Sequence, residues 1–124
     1  MQANLGQFDP ALLFLSETDT GDPDRWVEPA KLVMINRIIG LVAERMHVPM
    51  TRLKSRIRTQ HVAFVRQVAM YLLRHCTDLT YPEIGAAFDR DHSTAIHGHD
   101  LIDARIIADS AFAALIERLK GECQ

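Results

Sequence analysis

The chain has 124 residues, a formal net charge of −2 and 48% hydrophobic residues, which suits one packed domain with at most a short appendage. Its low aromatic content of 6% favours packing between aliphatic helices over a β-sandwich. No window approaches roughly 18 consecutive apolar residues and no signal-peptide pattern opens the chain, so we expect neither a membrane span nor secretion. Cys76 and Cys123 form no metal-type pair and no disulfide framework, so a cytoplasmic location is expected.

Charge is unevenly distributed along the chain. Seven basic residues and no acidic residue lie between positions 45 and 74, whereas residues 1–28 and 75–124 are both net acidic. Such asymmetry, more than the net charge, is typical of a surface that attracts nucleic acid. The alternative is an ordinary solvated basic face, although such a face usually carries glutamate as well.

Turn residues and hydrophobic spacing divide the chain into an arm and a domain. Residues 1–28 are predicted to form an acidic N-terminal arm, with a brief apolar helix near residues 11–15 and a turn-rich loop over residues 18–24. A domain is predicted over residues 29–124. Its first helix should end before Pro49, a short helix should cover residues 50–55, and the longest amphipathic helix should cover residues 60–76.

The segment over residues 80–107 has the layout of a helix-turn-helix. Thr80 and Glu83 have the spacing of a capping box, and Asp91 can cap a second helix that runs to about residue 107. Asp109 or Ser110 is expected to cap a last helix, which Gly121 should end. Since no strand pattern is present, the predicted fold is all-α: a compact bundle of about six helices that contains a helix-turn-helix.

The second helix of this motif begins with a turn made only of hydrogen-bonding side chains. Side chains at such a helix start can read base edges in the DNA major groove, and here they are Asp91, His92, Ser93 and Thr94. The alternative is a simple capped helix start, which is common in proteins.

Six histidines raise the possibility of a metal site. Metal ligands on one helix work at a spacing of four residues, and His92, His97 and His99 do not have that spacing. We therefore expect no metal and no cofactor, which leaves a metallohydrolase as a remote alternative. The sequence also has no G-x-S-x-G motif, no phosphate loop and no dinucleotide fingerprint, so we expect neither an enzyme nor a small-molecule substrate.

The basic stretch is placed where it could flank a DNA-reading helix. Arg56 and Arg58 fall in the loop before the long helix, a position that suits phosphate contact or insertion into a minor groove. Arg66 and Gln67 lie in the first half of that helix and are predicted to reach phosphates, and Arg74 lies further along it.

Three motifs in order resemble the C-terminal DNA-binding domain of DnaA, the bacterial chromosomal replication initiator. They are residues 58–72, the run Ile84-Gly85-Ala86-Ala87-Phe88, and the run Arg90-Asp91-His92-Ser93-Thr94. The resemblance covers roughly residues 29–107 and implies a domain of the Trp-repressor-like superfamily that binds duplex DnaA-box-type sequences. It also implies that the four residues of the second helix start read bases, that Arg58 enters the minor groove, and that Arg66, Gln67 and Arg90 hold the backbone or support base contacts.

The chain departs from the family pattern at the turn. The family usually has two residues, often Gly-Gly or Gly-Lys, between the Phe and the Arg-Asp-His motif, whereas here Asp89 stands alone. In addition, Val65 replaces a common proline and Ala95 a usual valine. No phosphate loop of a nucleotide-binding module is present, so we do not expect this chain to act as an ATP-dependent initiator by itself.

These observations favour a sequence-specific binder of double-stranded DNA, nucleoid-associated and monomeric or weakly dimeric, that regulates replication initiation or transcription by occupying sites. If Arg56, Arg58, Arg66, Arg74 and Arg90 engaged about five phosphates, log K should fall against log salt with a slope of about −4 to −5. The alternative is a protein-interaction module that keeps the fold and docks a partner through residues 1–28. The arm could instead fold over the DNA surface and weaken non-specific binding.

Overall fold

Six helices make up residues 27–124, the part of the chain that the computed structural model describes. In chain order they are α1 (Pro29–Met46), α2 (Met50–Leu53), α3 (Gln60–Cys76), α4 (Tyr81–Ala87), α5 (His92–Ala108) and α6 (Ser110–Cys123). No strand occurs within these residues, and the prediction of an all-α fold is confirmed. The helix and loop predicted within residues 11–24 lie outside the described residues. None of the helices in the described part is long and apolar enough to cross a membrane.

α3 lies at the centre of the bundle and packs against each of the other five helices. Its predicted bounds, residues 60–76, match the observed ones. The buried surface is wider than the one apolar stripe in the sequence, because neighbours cover this helix on several sides: Val68, Met70 and Tyr71 are buried along with Leu72 and Leu73. Full burial of a leucine side chain contributes about 1.5–3 kcal/mol, so this helix supplies much of the core.

Two helix ends differ from the predictions. α2 ends at Leu53 and not near residue 55, because the chain turns there and directs backbone carbonyls toward the interior, as described below. α6 continues past Gly121 to Cys123. The glycine does not end the helix because Cys123 is buried against the core, and its carbonyl accepts a hydrogen bond from the Arg37 guanidinium at 2.8 Å.

The predicted caps are present. Thr80 and Glu83 form a reciprocal capping box at the start of α4. Glu83 also accepts a hydrogen bond from the Lys31 ammonium at 2.7 Å, which ties α4 to α1. Burial raises the pKa of Glu83, but the bonds from Lys31 and the Thr80 backbone outweigh it and leave the pKa below its ordinary value. Asp109, one of the two predicted candidates, caps α6 through the Phe112 backbone N–H.

Candidate DNA interface

α4, a four-residue turn over residues 88–91 and α5 form a helix-turn-helix that a close backbone contact holds together. The Arg90 N–H donates to the carbonyl of Gly85 at 2.8 Å, across the turn. Phe88 is fully buried, so its ring fixes the end of α4 in the core. Asp89 carries the turn with φ of 56°, a left-handed conformation that glycine, asparagine and aspartate adopt more readily than other residues.

The start of α5 presents four exposed polar residues, and one of them, Asp91, binds two of the others. Its Oδ1 accepts hydrogen bonds from the Ser93 hydroxyl at 2.8 Å, the Thr94 backbone N–H at 3.1 Å and the Thr94 hydroxyl at 3.2 Å. The Ser93 hydroxyl first, and then the two Thr94 groups, hold the pKa of Asp91 below its ordinary value. The prediction that Asp91 caps α5 is confirmed, and the cap fixes the orientation of the helix start. His92 is exposed beside it.

Arg90 connects the turn to the loop that precedes α3. One of its guanidinium nitrogens donates to the Phe88 carbonyl at 2.7 Å and the other to the Ser55 carbonyl at 3.1 Å. The side chain is half-buried. The loop and the helix-turn-helix are therefore joined by a charge-assisted bridge, which is stronger than a neutral hydrogen bond.

Arg66 does not occupy the position predicted for a phosphate contact. Arg66 is only 6% exposed. Its guanidinium donates to the carbonyls of Leu53 at 2.8 Å and Ile57 at 3.1 Å. Longer hydrogen bonds, of 3.3 Å, reach the carbonyls of Arg52 and Ser55. Burial lowers the pKa of Arg66, and the charge of Arg90 lowers it further. The prediction that Arg66 reaches a phosphate is therefore corrected: the side chain holds the end of α2 and the loop that follows it, residues 52–57, from inside.

The two loop arginines are both exposed but differ in their surroundings. Arg56 forms an ion pair with Asp89, with 3.1 Å between Nη2 and Oδ2, and both side chains remain largely in solvent. Arg58 makes no hydrogen bond or ion pair with any described residue and lines an open groove that also contains Gln67, on α3. The side chain of Arg58 is thus exposed to solvent. A loop arginine must be exposed in this way if it is to insert into a minor groove.

Arg74 lies at the far end of α3, away from the start of that helix. One guanidinium nitrogen donates to the Leu79 carbonyl at 2.9 Å, and the guanidinium carbon lies 4.4 Å from the centre of the Tyr81 ring. The residue remains exposed. It holds the connection between α3 and α4, and its other donors can still meet a phosphate.

Arg105 was not predicted as a site residue, yet it lines the same groove as Arg58 and Gln67. Its guanidinium carbon lies 4.9 Å from the centre of the Phe64 ring and 5.1 Å from that of Phe112. These rings come from α3 and α6, so no local sequence pattern could have revealed the contact.

Two of the histidines, His75 and His99, lie against each other. The Nε2 atoms of His75 and His99 approach to 2.8 Å, and both rings pack beside Tyr71. His99, predicted to face the core, keeps 14% of its side chain exposed and contacts Asp100 through Nδ1. Within residues 27–124, no three His, Cys, Asp or Glu side chains are grouped as a metal site would require.

The comparison with known proteins agrees with this geometry. The family described as bacterial dnaA protein helix-turn-helix matches residues 35–102, more than half of the chain. The chain belongs to the bacterial DnaA helix-turn-helix family. The match includes α3 and the turn with its polar helix start, so the chain carries the DNA-binding helix-turn-helix of DnaA.

Individual relatives cover the same part of DnaA. The chromosomal replication initiator protein DnaA of Caldanaerobacter subterraneus subsp. tengcongensis is 42% identical over 79 residues, which is 64% of this chain and 18% of the relative. The DnaA proteins of Thermoanaerobacter sp. (strain X514) and Thermoanaerobacter pseudethanolicus are each 40% identical over the same length and the same shares. The chain thus spans less than a fifth of the length of these DnaA relatives.

Proposed function

We propose that this chain binds double-stranded DNA at sites resembling DnaA boxes and regulates replication initiation or transcription by occupying them. The observation that carries the proposal is the Arg90 bridge. It joins the turn before the polar start of α5 to the loop that holds Arg58, so that both predicted DNA-reading elements stand on one support.

Each residue receives a role from its surroundings. His92, Ser93 and Thr94, exposed at the start of α5, read base edges in the major groove, and Asp91, as the cap, orients Ser93 and Thr94. Arg58 enters the neighbouring minor groove. Arg56, Gln67 and Arg74 contact the backbone. Arg66 and Arg90 support the loop and the turn from within and touch DNA little or not at all.

This assignment changes the expected salt dependence. With Arg66 and Arg90 engaged by carbonyls, about three arginines remain to neutralise phosphate charge: Arg56 and Arg74 at the backbone, and Arg58 in the minor groove between the two backbones. Each phosphate contact contributes about −0.9 to the slope of log K against log salt, so these three give a slope near −3. That is shallower than the value the sequence suggested.

No phosphate loop occurs in the 124 residues. The proposed binding therefore proceeds without nucleotide hydrolysis by this chain, which would act by competing for boxes or by blocking other proteins from them. A nucleoid location would follow from DNA occupancy.

The test compares a box-containing duplex with a scrambled duplex of equal length by fluorescence anisotropy. His92→Ala should reduce the binding preference for the box over the scrambled duplex by about 1–3 kcal/mol. Arg56→Ala should instead lower the affinity for both duplexes by the same factor. Arg118→Ala, an exposed arginine on α6, serves as the control for a lost surface charge. Equal losses on both duplexes for His92→Ala would refute base reading, and no binding at low salt would leave the protein-interaction module as the explanation.

For residues 1–28, we propose a separate acidic arm that competes with DNA for the basic surface. The test removes residues 1–26, because Val27 is buried in the core and must stay. Affinity for the scrambled duplex at low salt should rise. An unchanged affinity would leave the arm as a docking segment for a partner or a solubilising tail.

A further inference from the structure

An open groove between α3 and α5 brings together two arginines that lie far apart in the sequence. Arg58 lies in the loop before α3, and Arg105 lies near the end of α5; both side chains line the groove. His61, Phe64 and Gln67 line the surface shared with them. We call this surface the arginine groove. None of its described lining residues is acidic.

Aromatic rings fix Arg105 without satisfying its hydrogen-bond donors. Phe64 and Phe112 pack together with 5.7 Å between ring centres, and the guanidinium of Arg105 lies about equally close to both rings. Such contacts act on the face of the guanidinium and leave its N–H groups directed outward at the edge. The Arg105 guanidinium makes no hydrogen bond or ion pair with the described residues.

Several other cations of the described residues, in contrast, are paired with carboxylates. Lys31 pairs with Glu83, Arg45 with Glu122, and Lys120 with Glu117. Arg58 and Arg105 have no such carboxylate within the described residues, although they share one groove. Two arginines with open donors, a neutral amide and no acidic lining residue form a surface that suits an anion with several oxygens.

We propose that the arginine groove receives the sugar–phosphate backbone of the same duplex, and that Arg105 is a further phosphate-binding residue. The inference rests on the proposed function, because Arg58 belongs both to the groove and to the minor-groove contact. A strand leaving the position of Arg58 would enter the groove that Gln67 and Arg105 also line. Arg105 lies outside residues 35–102, the part that matches the DnaA family, so the contact would extend the footprint of this chain beyond the shared motif.

The physical signature is an additional released counterion. Arg105→Gln keeps a long polar side chain but removes the charge, so the slope of log K against log salt should become shallower by about 0.9. Affinity at low salt should fall by a similar factor for box and scrambled duplexes, because a phosphate contact carries no sequence information. Arg105→Lys retains the charge and should restore the slope. Arg118→Gln is the matched control, since Arg118 is also an exposed arginine without a described partner but lies on α6 outside the groove.

A slope for Arg105→Gln equal to that of the unmodified chain, or an equal change for Arg118→Gln, would overturn the inference. A purely structural role would lower the melting temperature and leave the slope unaltered, so thermal unfolding of each variant is recorded alongside.

A second measurement needs no variant. Duplexes shortened one base pair at a time from the end that lies over the arginine groove should show one loss of about 0.9 in slope as the phosphate at Arg105 is removed. A slope that stays constant until binding is lost altogether also overturns the inference. Failure of the unmodified chain to bind any duplex would instead refute the proposed function, so the two failures are distinguishable.

Discussion

Replacing Gly85 with alanine should damage the helix-turn-helix directly. A Cβ at this position in α4 would lie 2.7 Å from the carbonyl oxygens of both Arg90 and Asp91, and 2.9 Å from the carbonyl carbon of Asp91. Carbon and oxygen atoms ordinarily approach to about 3.3–3.6 Å even in their closest favourable contacts. The atoms in the way belong to the backbone at the start of α5, so α4 and α5 must move apart by roughly half an ångström.

The magnitude follows from two opposing terms. Overpacking of this kind costs about 1–3 kcal/mol of unfolding free energy. Alanine regains about 0.5–1 kcal/mol relative to glycine within a helix. The net loss for Gly85→Ala is therefore about 0–2.5 kcal/mol, with a central value of about 1 kcal/mol. For a domain of this size each kcal/mol shifts the melting temperature by about 4–8 °C, so a fall of several degrees is expected.

Gly40 provides the matched control. It lies within α1, and a Cβ built there meets nothing within 4 Å. Gly40→Ala should gain the higher helix propensity of alanine without any steric clash. It should therefore raise the melting temperature by a few degrees. Thermal unfolding followed by circular dichroism at 222 nm, a standard wavelength for helix, compares the two variants. If Gly85→Ala melted at or above the temperature of Gly40→Ala, the reasoning about the close contact would be refuted.

Three further predictions test the supports around the turn. Arg66→Met should lower the free energy of unfolding by about 2–4 kcal/mol, because buried carbonyls lose a charged donor. Amide hydrogen exchange over residues 52–57 should also become faster. Unchanged exchange would contradict the role given to Arg66. Asp89→Asn keeps a residue that tolerates positive φ but removes the negative charge beside Arg56. Affinity for all duplexes should therefore rise a few-fold at low salt. A loss of affinity would contradict the proposed backbone contact of Arg56. Because folding lowers the pKa of Glu83, its contribution to stability is complete above the ordinary value of 4.5 and is lost as the pH falls below it. In a plot of melting temperature against pH, Glu83→Gln should therefore make the decrease on the acidic side less steep. An identical decrease in both proteins would contradict the assignment.

The sequence predicted well what local chemistry decides. The capping box of Thr80 with Glu83 and the cap by Asp91 depend on residues three positions apart, and both were found where predicted. The bounds of α3 were equally accessible, because a long amphipathic pattern is flanked by loop residues on both sides.

Tertiary packing decided what could not be predicted. Helical periodicity placed Arg66 at the edge of the apolar face of α3, but its burial depends on carbonyls from residues 52–57 that fold over it. Gly121 resembles a helix terminator until Cys123 is seen to pack in the core two residues later. Arg105 acquires its aromatic support from two rings on other helices, so its neighbours in the sequence carry no sign of it.

One carbonyl oxygen, that of Ser55, accepts hydrogen bonds from both Arg66 and Arg90. This shared acceptor sets the offset between the loop of Arg58 and the start of α5, because neither element can slide without breaking a charged bond. On DNA, one inserted base pair displaces the following bases by about 3.4 Å and rotates them by about 35°. In the proposed complex, a binding site should therefore tolerate base substitutions singly, at about 1–3 kcal/mol each. It should not tolerate a change in the number of base pairs between its minor-groove and major-groove parts.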